Sequence, residues 1–417
     1  MQKIAKITTS LVLMLTILLN IFSCGTVGDL SKNVQKNPVT GKEADETFTA
    51  SQLDFAVKLF QNSAKEKDEN ILVSPLSVMV ALAMTANGAR GETLSQMEKV
   101  LGGALSIDQL NEYLHTYVEN LPSEEKAAFH LANSIWVDEP DISVREEFLQ
   151  KNADYYGAAV FSERFNGNET RDQINAWVEE NTHGMIKDIL NEVPASAVMF
   201  LVNALAFEAE WATPFDEHAI REGDFTAASG ETLRVDMMYS EENVYFEDKN
   251  TTGFAKHYAS GYTFVALLPD EDLSIEEYVA GLTGEKLGNL LSSPTYTDVN
   301  IKMPKFEYEY DISLNDVLET MGMTDAFDPA AADFSEMGES ANGNIFVSRV
   351  IHKTFITVDN LGTKAGAATV VQMDAESAVI NPVKPKTVYL DRPFVYMIVD
   401  NETKLPIFIG TVTSFEN

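Results

Sequence analysis

The chain contains little cysteine and little positive charge. Its 417 residues include one Cys and 30 Lys+Arg against 64 Asp+Glu, which gives a formal net charge of −34. A single cysteine excludes an intramolecular disulfide and a cysteine-based zinc site. The acidic excess argues against nucleic-acid binding, which depends on basic groups that face phosphate. With 45% hydrophobic residues, the composition is that of a globular protein with a packed core.

The sequence also lacks the motifs of common enzymes. It contains no G-x-S-x-G, H-E-x-x-H, P-loop or C-x-x-C pattern. The six histidines include no pair at the i, i+3 or i+4 spacing that places two ligands on one helix face. We therefore expect a protein that is not an enzyme and that binds neither a metal ion nor another cofactor.

The N-terminus has the plan of an export signal. Lys3 and Lys6 precede the apolar run 11–19, and Ser23 precedes the only cysteine, Cys24. Residues 21–25 (IFSCG) resemble the lipobox of bacterial lipoproteins, in which the cysteine becomes the lipidated first residue. The alternative is an uncleaved anchor, or a secretory signal followed by an incidental thiol. We expect residues 1–23 to be a lipoprotein signal peptide and Cys24 to anchor the protein in the bacterial cell envelope, at the outer membrane.

Two further segments follow the predicted signal. Residues 24–47 are polar and show no hydrophobic period, so we expect a flexible tether. Residues 48–417 are expected to form a single domain of α+β class, because helical and strand-like patterns do not alternate strictly. Helices are predicted at 52–63, 78–86 and 93–101. Strands are predicted at 131–137, 199–207, 262–268, 300–304, 355–358, 387–390, 394–399 and 406–412.

Residues 361–383 form an unusual segment between two predicted strands. They are small and poor in large apolar groups (LGTKAGAATVVQMDAESAVINPV). Alternate residues from 363 to 371 are all uncharged and small or β-branched, as in a strand whose one face becomes buried. Composition alone favours a flexible linker instead. A loop of this length inside a compact domain is uncommon and usually functional.

Several motifs, in order along the chain, resemble those of the serpins, protease inhibitors that act by loop insertion. Residues 358–369 (VDNLGTKAGAAT) are similar to the serpin hinge, and 391–398 (DRPFVYMI) with 407–410 (IFIG) are similar to the C-terminal signature. The resemblance covers roughly residues 50–417. It extends through 70–77 (NILVSPLS), 88–93 (GARGET), 175–178 (NAWV), 202–204 (VNA) with Trp211, and 348–353 (SRVIHK).

The resemblance implies a serpin fold with a large central mixed β-sheet, two smaller sheets, about nine helices and an exposed reactive loop at about 360–383. The protein would be a monomer and a suicide-type inhibitor of serine or cysteine endopeptidases. A target protease cuts the loop, and the cut loop then enters the central sheet before the acyl-enzyme is hydrolysed. A non-inhibitory binding protein of the cell envelope with the same fold remains the alternative.

The resemblance also assigns roles to individual residues. The implied hinge consists of Gly362, Thr363, Ala365, Ala367, Ala368 and Thr369. The implied gate of the central sheet consists of Ser74, Ser77, Asn203 and His352, with Trp211 at the insertion point. Asn360 and Leu361 depart from the family, which usually has acids there. We therefore expect that a salt bridge at the upper end of the loop is absent.

Two counts disagree on the bond that the target protease cuts. The usual family spacing, counted forward from Gly362, gives Glu376-Ser377, whereas counting back from Pro393 gives the region 379–382. We adopt the forward count, because the length before the cut sets the length of the inserted strand. Glu376 predicts a Glu-specific protease, and the alternative bond Asp374-Ala375 predicts an Asp-specific one. Elastase-, subtilisin- or papain-like targets also fit, but trypsin-like ones do not, because residues 365–383 contain no Lys or Arg.

Overall fold

The helices of this protein lie mostly in its first half. The computed structural model describes residues 28–64, 69–121, 123–124, 127–138, 142–194, 197–341, 343–363 and 384–415. Within these ranges there are nine α-helices: α1 (Glu46–Asn62), α2 (Pro75–Ala86), α3 (Gly91–Gly102), α4 (Ile107–Glu119), α5 (Glu146–Tyr156), α6 (Asn168–Asn181), α7 (Ile275–Ala280), α8 (Gly284–Ser292) and α9 (Asn315–Met321).

Strands make up most of the remainder of the described chain. They are β1 (Gly28–Asp29), β2 (Leu72–Val73), β3 (Ser123–Glu124), β4 (Ala127–Asp138), β5 (Ile142–Val144), β6 (Ala159–Glu163), β7 (Met199–Glu210), β8 (Ile220–Thr226), β9 (Thr232–Glu247), β10 (Thr251–His257), β11 (Tyr262–Pro269), β12 (Thr295–Pro304), β13 (Phe306–Ser313), β14 (Gly338–Ser340), β15 (Arg349–Val358), β16 (Gly362–Thr363), β17 (Lys386–Tyr389), β18 (Phe394–Asp400) and β19 (Pro406–Val412).

A mixed central sheet organises the molecule. Its order in the described residues is β1-β6-β4-β7-β16-β15-β13, with β3 paired to β4. β7 and β15 run parallel, whereas the two-residue β16 is antiparallel to both. β7 and β15 also pair with each other directly. The short β16 therefore occupies only one end of the space between these two strands.

Two further sheets complete the described fold, as the sequence predicted. One has nine strands in the order β17-β12-β9-β10-β11-β18-β19-β2, with β8 on β9, and the other pairs β14 with β5. The nine-stranded sheet is larger than expected because β9 is 16 residues long and pairs with β8, β10 and β12. The α+β class and the mixed central sheet are confirmed.

Alternating residues of β7 face two different hydrophobic clusters. Leu201, Leu205, Phe207 and Ala209 belong to the main core, which also contains most of α1 and α2. The intervening Phe200, Val202, Ala204 and Ala206 pack instead with residues of α6 such as Ile174 and Val178. Both faces of the central sheet are therefore buried along β7, which explains why its sequence reads as an almost continuous apolar run.

Helix α2 is buried along its whole length beneath the central sheet. Ser74 is its N-cap and accepts a hydrogen bond from the Ser77 N–H, while Pro75 occupies the first turn, where its missing N–H costs nothing. Because α2 packs on β4 and β7, its first turn carries Ser74 and Ser77 to the centre of the sheet.

The predicted flexible tether 24–47 is wrong for residues 28–45, because this part packs on the domain. β1 pairs with β6, and Leu30 N–H donates to the Val160 carbonyl. Lys36 forms an ion pair of 2.8 Å with Glu119 of α4. Asp45 then caps α1, so this helix begins at Glu46 and not at 52. The segment is held by backbone pairing, by surface polar bonds and by the packing of Leu30 and Val34 against the main core. Two isolated apolar side chains leave no hydrophobic period in the sequence.

The other predicted elements are found, with changed ends. The strand predicted at 355–358 begins at Arg349, because its polar residues His352 and Lys353 have partners inside the fold. In the described part of the chain, no helix is long and apolar enough to span a membrane. Residues 1–27, which include the predicted signal and Cys24, lie outside that part.

Candidate functional site at the fork between β7 and β15

β7 and β15 form a fork that closes at one end and opens at the other. Direct pairing runs from Phe200↔Arg349 to Leu205↔Thr354. At the other end β16 lies between the two strands, with Thr363 paired to Ala209 on β7 and to Val358 on β15. Residues 206–208 and 355–357 lie between these two regions. The chain thus begins an extra strand in the sheet and does not continue it through the closed part.

A neutral polar cluster lies under the closed part of the fork. We call it the gate cluster; it consists of Ser74, Ser77, Asn133, Asn203 and His352. The two serines, Asn203 and His352 are completely buried. The Asn203 side-chain amide donates to the Ser77 hydroxyl and to Asn133 Oδ1, and the Ser74 N–H donates to His352 Nε2 at 3.1 Å. Four residues predicted from dispersed motifs are thus brought together.

The partners of His352 fix its protonation state. Nε2 accepts from a backbone N–H, so the proton of the neutral ring lies on Nδ1 and is donated to Asn203 Oδ1. Complete burial lowers the pKa of His352 to about 3, since the charged ring would lose its hydration. The bond between His352 and Asn203 crosses directly from β15 to β7 at paired positions. An inserted strand therefore has to break this bond.

A second cluster holds the open end of the fork. The rings of Trp211 and Tyr258 are stacked, 4.4 Å apart and 10° from parallel. The Trp211 indole N–H donates to the Asp359 carbonyl, and the Trp211 backbone N–H donates to the Leu361 carbonyl, both at 2.9 Å. The Tyr258 hydroxyl lies 2.6 Å from the hydroxyl of Thr363. Trp211 therefore holds the turn that leads into β16, and its predicted role at the insertion point stays a prediction.

The turn from β15 into β16 depends on an acidic side chain and on a glycine. The Asp359 carboxylate accepts hydrogen bonds from the backbone N–H groups of Leu361 and Gly362. A Cβ atom on Gly362 would lie 2.0 Å from the Ala209 carbonyl oxygen, so only glycine fits against β7. Thr363 is buried and faces the main core. The first two predicted hinge residues are thus already part of the sheet.

Asn360 has a basic partner. Lys305 Nζ donates to Asn360 Oδ1 at 2.9 Å, and the Phe215 N–H donates to the Asn360 carbonyl. In place of the salt bridge that an acid at position 360 would allow, the structure has a bond between a charge and a neutral amide. Such a bond is weaker than an ion pair of the same geometry.

The remaining predicted site residues lie outside the described residues. They are the hinge positions Ala365, Ala367, Ala368 and Thr369, the two candidate bonds Glu376-Ser377 and Asp374-Ala375, and Cys24. Their roles stay predictions. The sequence reasoning also missed three residues that the structure places at the fork, namely Asn133, Tyr258 and Lys305. Of these, Asn133 had the clearest signal, since it is an amide among the alternating apolar residues 129, 131, 135 and 137 of β4.

Taken together, these features define a protein whose central sheet holds two residues of an additional strand between β7 and β15. Among the described residues, no group of three or more His, Cys, Asp or Glu side chains is arranged to hold a metal ion. Comparison with known proteins agrees with the architecture. A family model described as "Serpin (serine protease inhibitor)" matches residues 50–415, and the chain belongs to this family. Serpins are generally protease inhibitors and not enzymes.

Three similar proteins illustrate the relationship. Iris from Ixodes ricinus is 33% identical over 376 residues, which cover 86% of this chain and 97% of Iris. The thermophilic serpin Tengpin in its native state is 50% identical, with a TM-score of 0.89 over 93% of this chain and all of Tengpin. Tengpin in its latent state gives 49% identity and a TM-score of 0.80 over 90% of this chain and all of that structure. The conformation described above is thus more similar to the native state.

His352 should make the protein less stable in acid. Its native pKa of about 3 lies below the ordinary value of 6.5, so the unfolded chain binds a proton that the gate cluster excludes. The free energy of unfolding is therefore highest above pH 6.5 and decreases as the pH falls towards 3. Between pH 7 and pH 5 we expect it to decrease by roughly 2 kcal/mol. Denaturant unfolding at both pH values should show a smaller loss in His352→Gln than in the wild type; equal losses would contradict this prediction.

Proposed function

We propose that this protein is a suicide-type inhibitor of serine or cysteine endopeptidases. The observation that carries the proposal is the position of β16, where Gly362 and Thr363 already lie between β7 and β15. A loop that starts inside the sheet needs only to continue along the fork. The neutral gate cluster supports this step, because hydrogen bonds between neutral groups are easier to open in a core than ion pairs.

The covalent chemistry belongs to the target protease. Its nucleophile attacks the carbonyl of the reactive bond, an ester or thioester forms, and the peptide bond breaks. The new amine takes up the proton and leaves with the C-terminal fragment. From Gly362 to Glu376 the loop could span about 45 Å as a strand, which suffices to carry the attached protease along the sheet. Distortion of the protease before water attacks would leave the complex trapped.

The inserted strand would meet the gate cluster in a defined place. If the register of Thr363↔Ala209 continues, residue 369 lies opposite Asn203. A threonine at this position can offer its hydroxyl to Asn203 when the bond to His352 opens. Residues 365 and 367 would face Phe207 and Leu205 of the main core, where only small uncharged side chains fit.

The target specificity follows from the bond that is cut. We assign Glu376-Ser377 as the reactive bond and a Glu-specific endopeptidase as the target class. Asp374-Ala375, with an Asp-specific target, is the second choice. The absence of Lys and Arg from residues 365–383 disfavours trypsin-like enzymes, whereas elastase-, subtilisin- or papain-like enzymes fit the flanking apolar residues.

We also propose that the inhibitor is exported and bound to the membrane through lipid on Cys24. Its place in the cell would then be the outer membrane of a bacterial envelope. Support comes from the residues 21–25, in which the only cysteine follows an apolar run and a small residue. Several acyl chains on one residue hold a protein firmly, whereas one chain binds only marginally.

Complex formation with a protease is the direct test of inhibition. Incubation with a panel of Glu-, Asp-, elastase-, subtilisin- and papain-like proteases should give a covalent complex that survives denaturing electrophoresis. The released peptide should begin at Ser377. Ala367→Arg should be cleaved without forming the complex, because insertion would bring an unpaired charge beside Leu205 in the core, which costs several kcal/mol. The control Ala367→Ser adds no charge and should still form the complex.

The alternative is a non-inhibitory binding protein with the same fold. In that case the wild type and Ala367→Arg would both be cut at the loop and neither would retain the protease. This outcome across the whole panel would contradict the proposed function.

Lipidation can be tested separately. Cells that express the full chain should incorporate a labelled fatty acid into the wild type and place it in the outer-membrane fraction. Cys24→Ser should remove the label and the membrane association, because no other cysteine is present. A labelled Cys24→Ser protein, or an unlabelled wild type in the soluble fraction, would contradict the anchor.

A carboxylate at position 360 should delay spontaneous insertion of the uncut loop. Asn360→Glu converts the bond with Lys305 into an ion pair, which we expect to add about 1 kcal/mol at this partly buried place and to slow insertion roughly five-fold. Asn360→Ala loses the bond and should be faster than the wild type. Loss of inhibitory activity during incubation at raised temperature measures the rate. Equal rates for Asn360→Glu and the wild type would contradict the interpretation.

A further inference from the structure

Acidic side chains flank the open part of the fork. Glu208 lies on β7, one residue before Ala209, which pairs with Thr363. On the other side Thr357 of β15 pairs with Glu307 of β13, and the Thr357 hydroxyl donates to the Glu307 carboxylate at 2.8 Å. Glu208 and Thr357 are therefore the next positions on the two strands that an extended β16 would reach.

The three side chains share one face of the sheet. Glu208 alternates with Ala209, which faces the main core, and continues the row of Ala204 and Ala206 on the α6 side. Thr357 continues the row of Ile351 and Phe355, which also lie on the α6 side. The side chain of Glu208 is 39% exposed, and His130 of β4 lies 3.9 Å from its carboxylate.

The register of β16 identifies the residue that would enter this row. Thr363 is antiparallel to Ala209 and Val358, so each further residue of the loop moves one position down both strands. The next residue in the sequence is Lys364, which would stand opposite Glu208 on one side and Thr357 on the other. Because Thr363 faces the main core, residue 364 of an extended β16 would face the α6 side, where Glu208 lies.

We infer that Glu208, Thr357 and Glu307 form a receiving site for the ammonium group of Lys364 during loop insertion. The inference rests on the proposed inhibitory function. Residues directly opposite on neighbouring strands have Cβ atoms about 5 Å apart, so an ion pair between Lys364 and Glu208 needs no rearrangement of the backbone. Glu307 lies one strand beyond Thr357 and adds negative charge to the same row.

This site would fix the register of insertion. A shift by one residue would turn the loop over, so that Lys364 pointed into the main core beside Phe207 or Ala209. The correct register places the only basic residue between the hinge glycine and residue 383 beside a carboxylate. Glu208 and Glu307 are thus positioning residues for the insertion step and have no part in the chemistry of cleavage.

A charge exchange tests the inference. The measurement is the ratio of trapped complex to cleaved product with a protease that the wild type inhibits. Lys364→Glu and Glu208→Lys each place like charges opposite one another, and each should lower the ratio about two- to five-fold. The double variant Lys364→Glu/Glu208→Lys restores opposite charges and should return the ratio towards the wild-type value.

The control is a second double variant of the same net charge. Lys384→Glu changes an exposed lysine beyond the loop and, combined with Glu208→Lys, should give no rescue. Single variants without effect, or a double variant Lys364→Glu/Glu208→Lys no better than the worse single variant, would overturn the receiving site while inhibition itself stands. A wild type that traps no protease overturns both proposals.

If Glu208→Lys fails to fold, a double-mutant cycle with uncharged side chains tests the same pair. Lys364→Gln and Glu208→Gln each remove the pair without adding repulsion. If the pair exists, the double neutral variant should lower the ratio by no more than either single variant does. Strictly additive losses would overturn the inference.

Discussion

Direct pairing of β7 with β15 closes the central sheet. Six residue pairs join these parallel strands, from Phe200↔Arg349 to Leu205↔Thr354. Beneath them Asn203 and His352 bond to each other and to α2 through buried neutral groups. At the other end Trp211 and Tyr258 hold the start of the loop in the sheet. The sheet is thus closed by bonds between β7 and β15. A longer β16 would replace these bonds, because it would pair with both strands.

Much of this architecture could be predicted from the sequence. The prediction succeeded where a strand is buried on both faces or where a helix begins with a capping residue, because both leave a local pattern in the sequence. The apolar run of β7 and the serine-proline start of α2 are of this kind. β13 was missed although its sequence alternates apolar with charged or polar residues, which is the pattern of a half-buried strand. Residues 28–45 were misjudged because backbone pairing, surface polar bonds and two isolated apolar side chains, Leu30 and Val34, hold them against parts of the chain far away in sequence.

Only some residues of the candidate site could be predicted from the sequence. Ser74, Ser77, Asn203, Trp211 and His352 were found because they lie in motifs that resemble a family pattern, and not because their chemistry is evident from the sequence. Nothing local in the sequence shows that Asn133 faces Asn203 across a strand pair, or that Tyr258 stacks on Trp211. Likewise the partnership of Lys305 with Asn360 joins residues 55 positions apart. Such contacts follow from strand order, which a single sequence specifies only weakly.

The central claim is that the cut loop becomes a strand between β7 and β15. The most direct measurement compares the melting temperatures of the intact protein and the same protein cut once near residue 376. About a dozen new strand hydrogen bonds at about 1 kcal/mol each predict that the cut form melts roughly 15 °C above the intact form. A cut form that melts at or below the temperature of the intact protein would contradict the account.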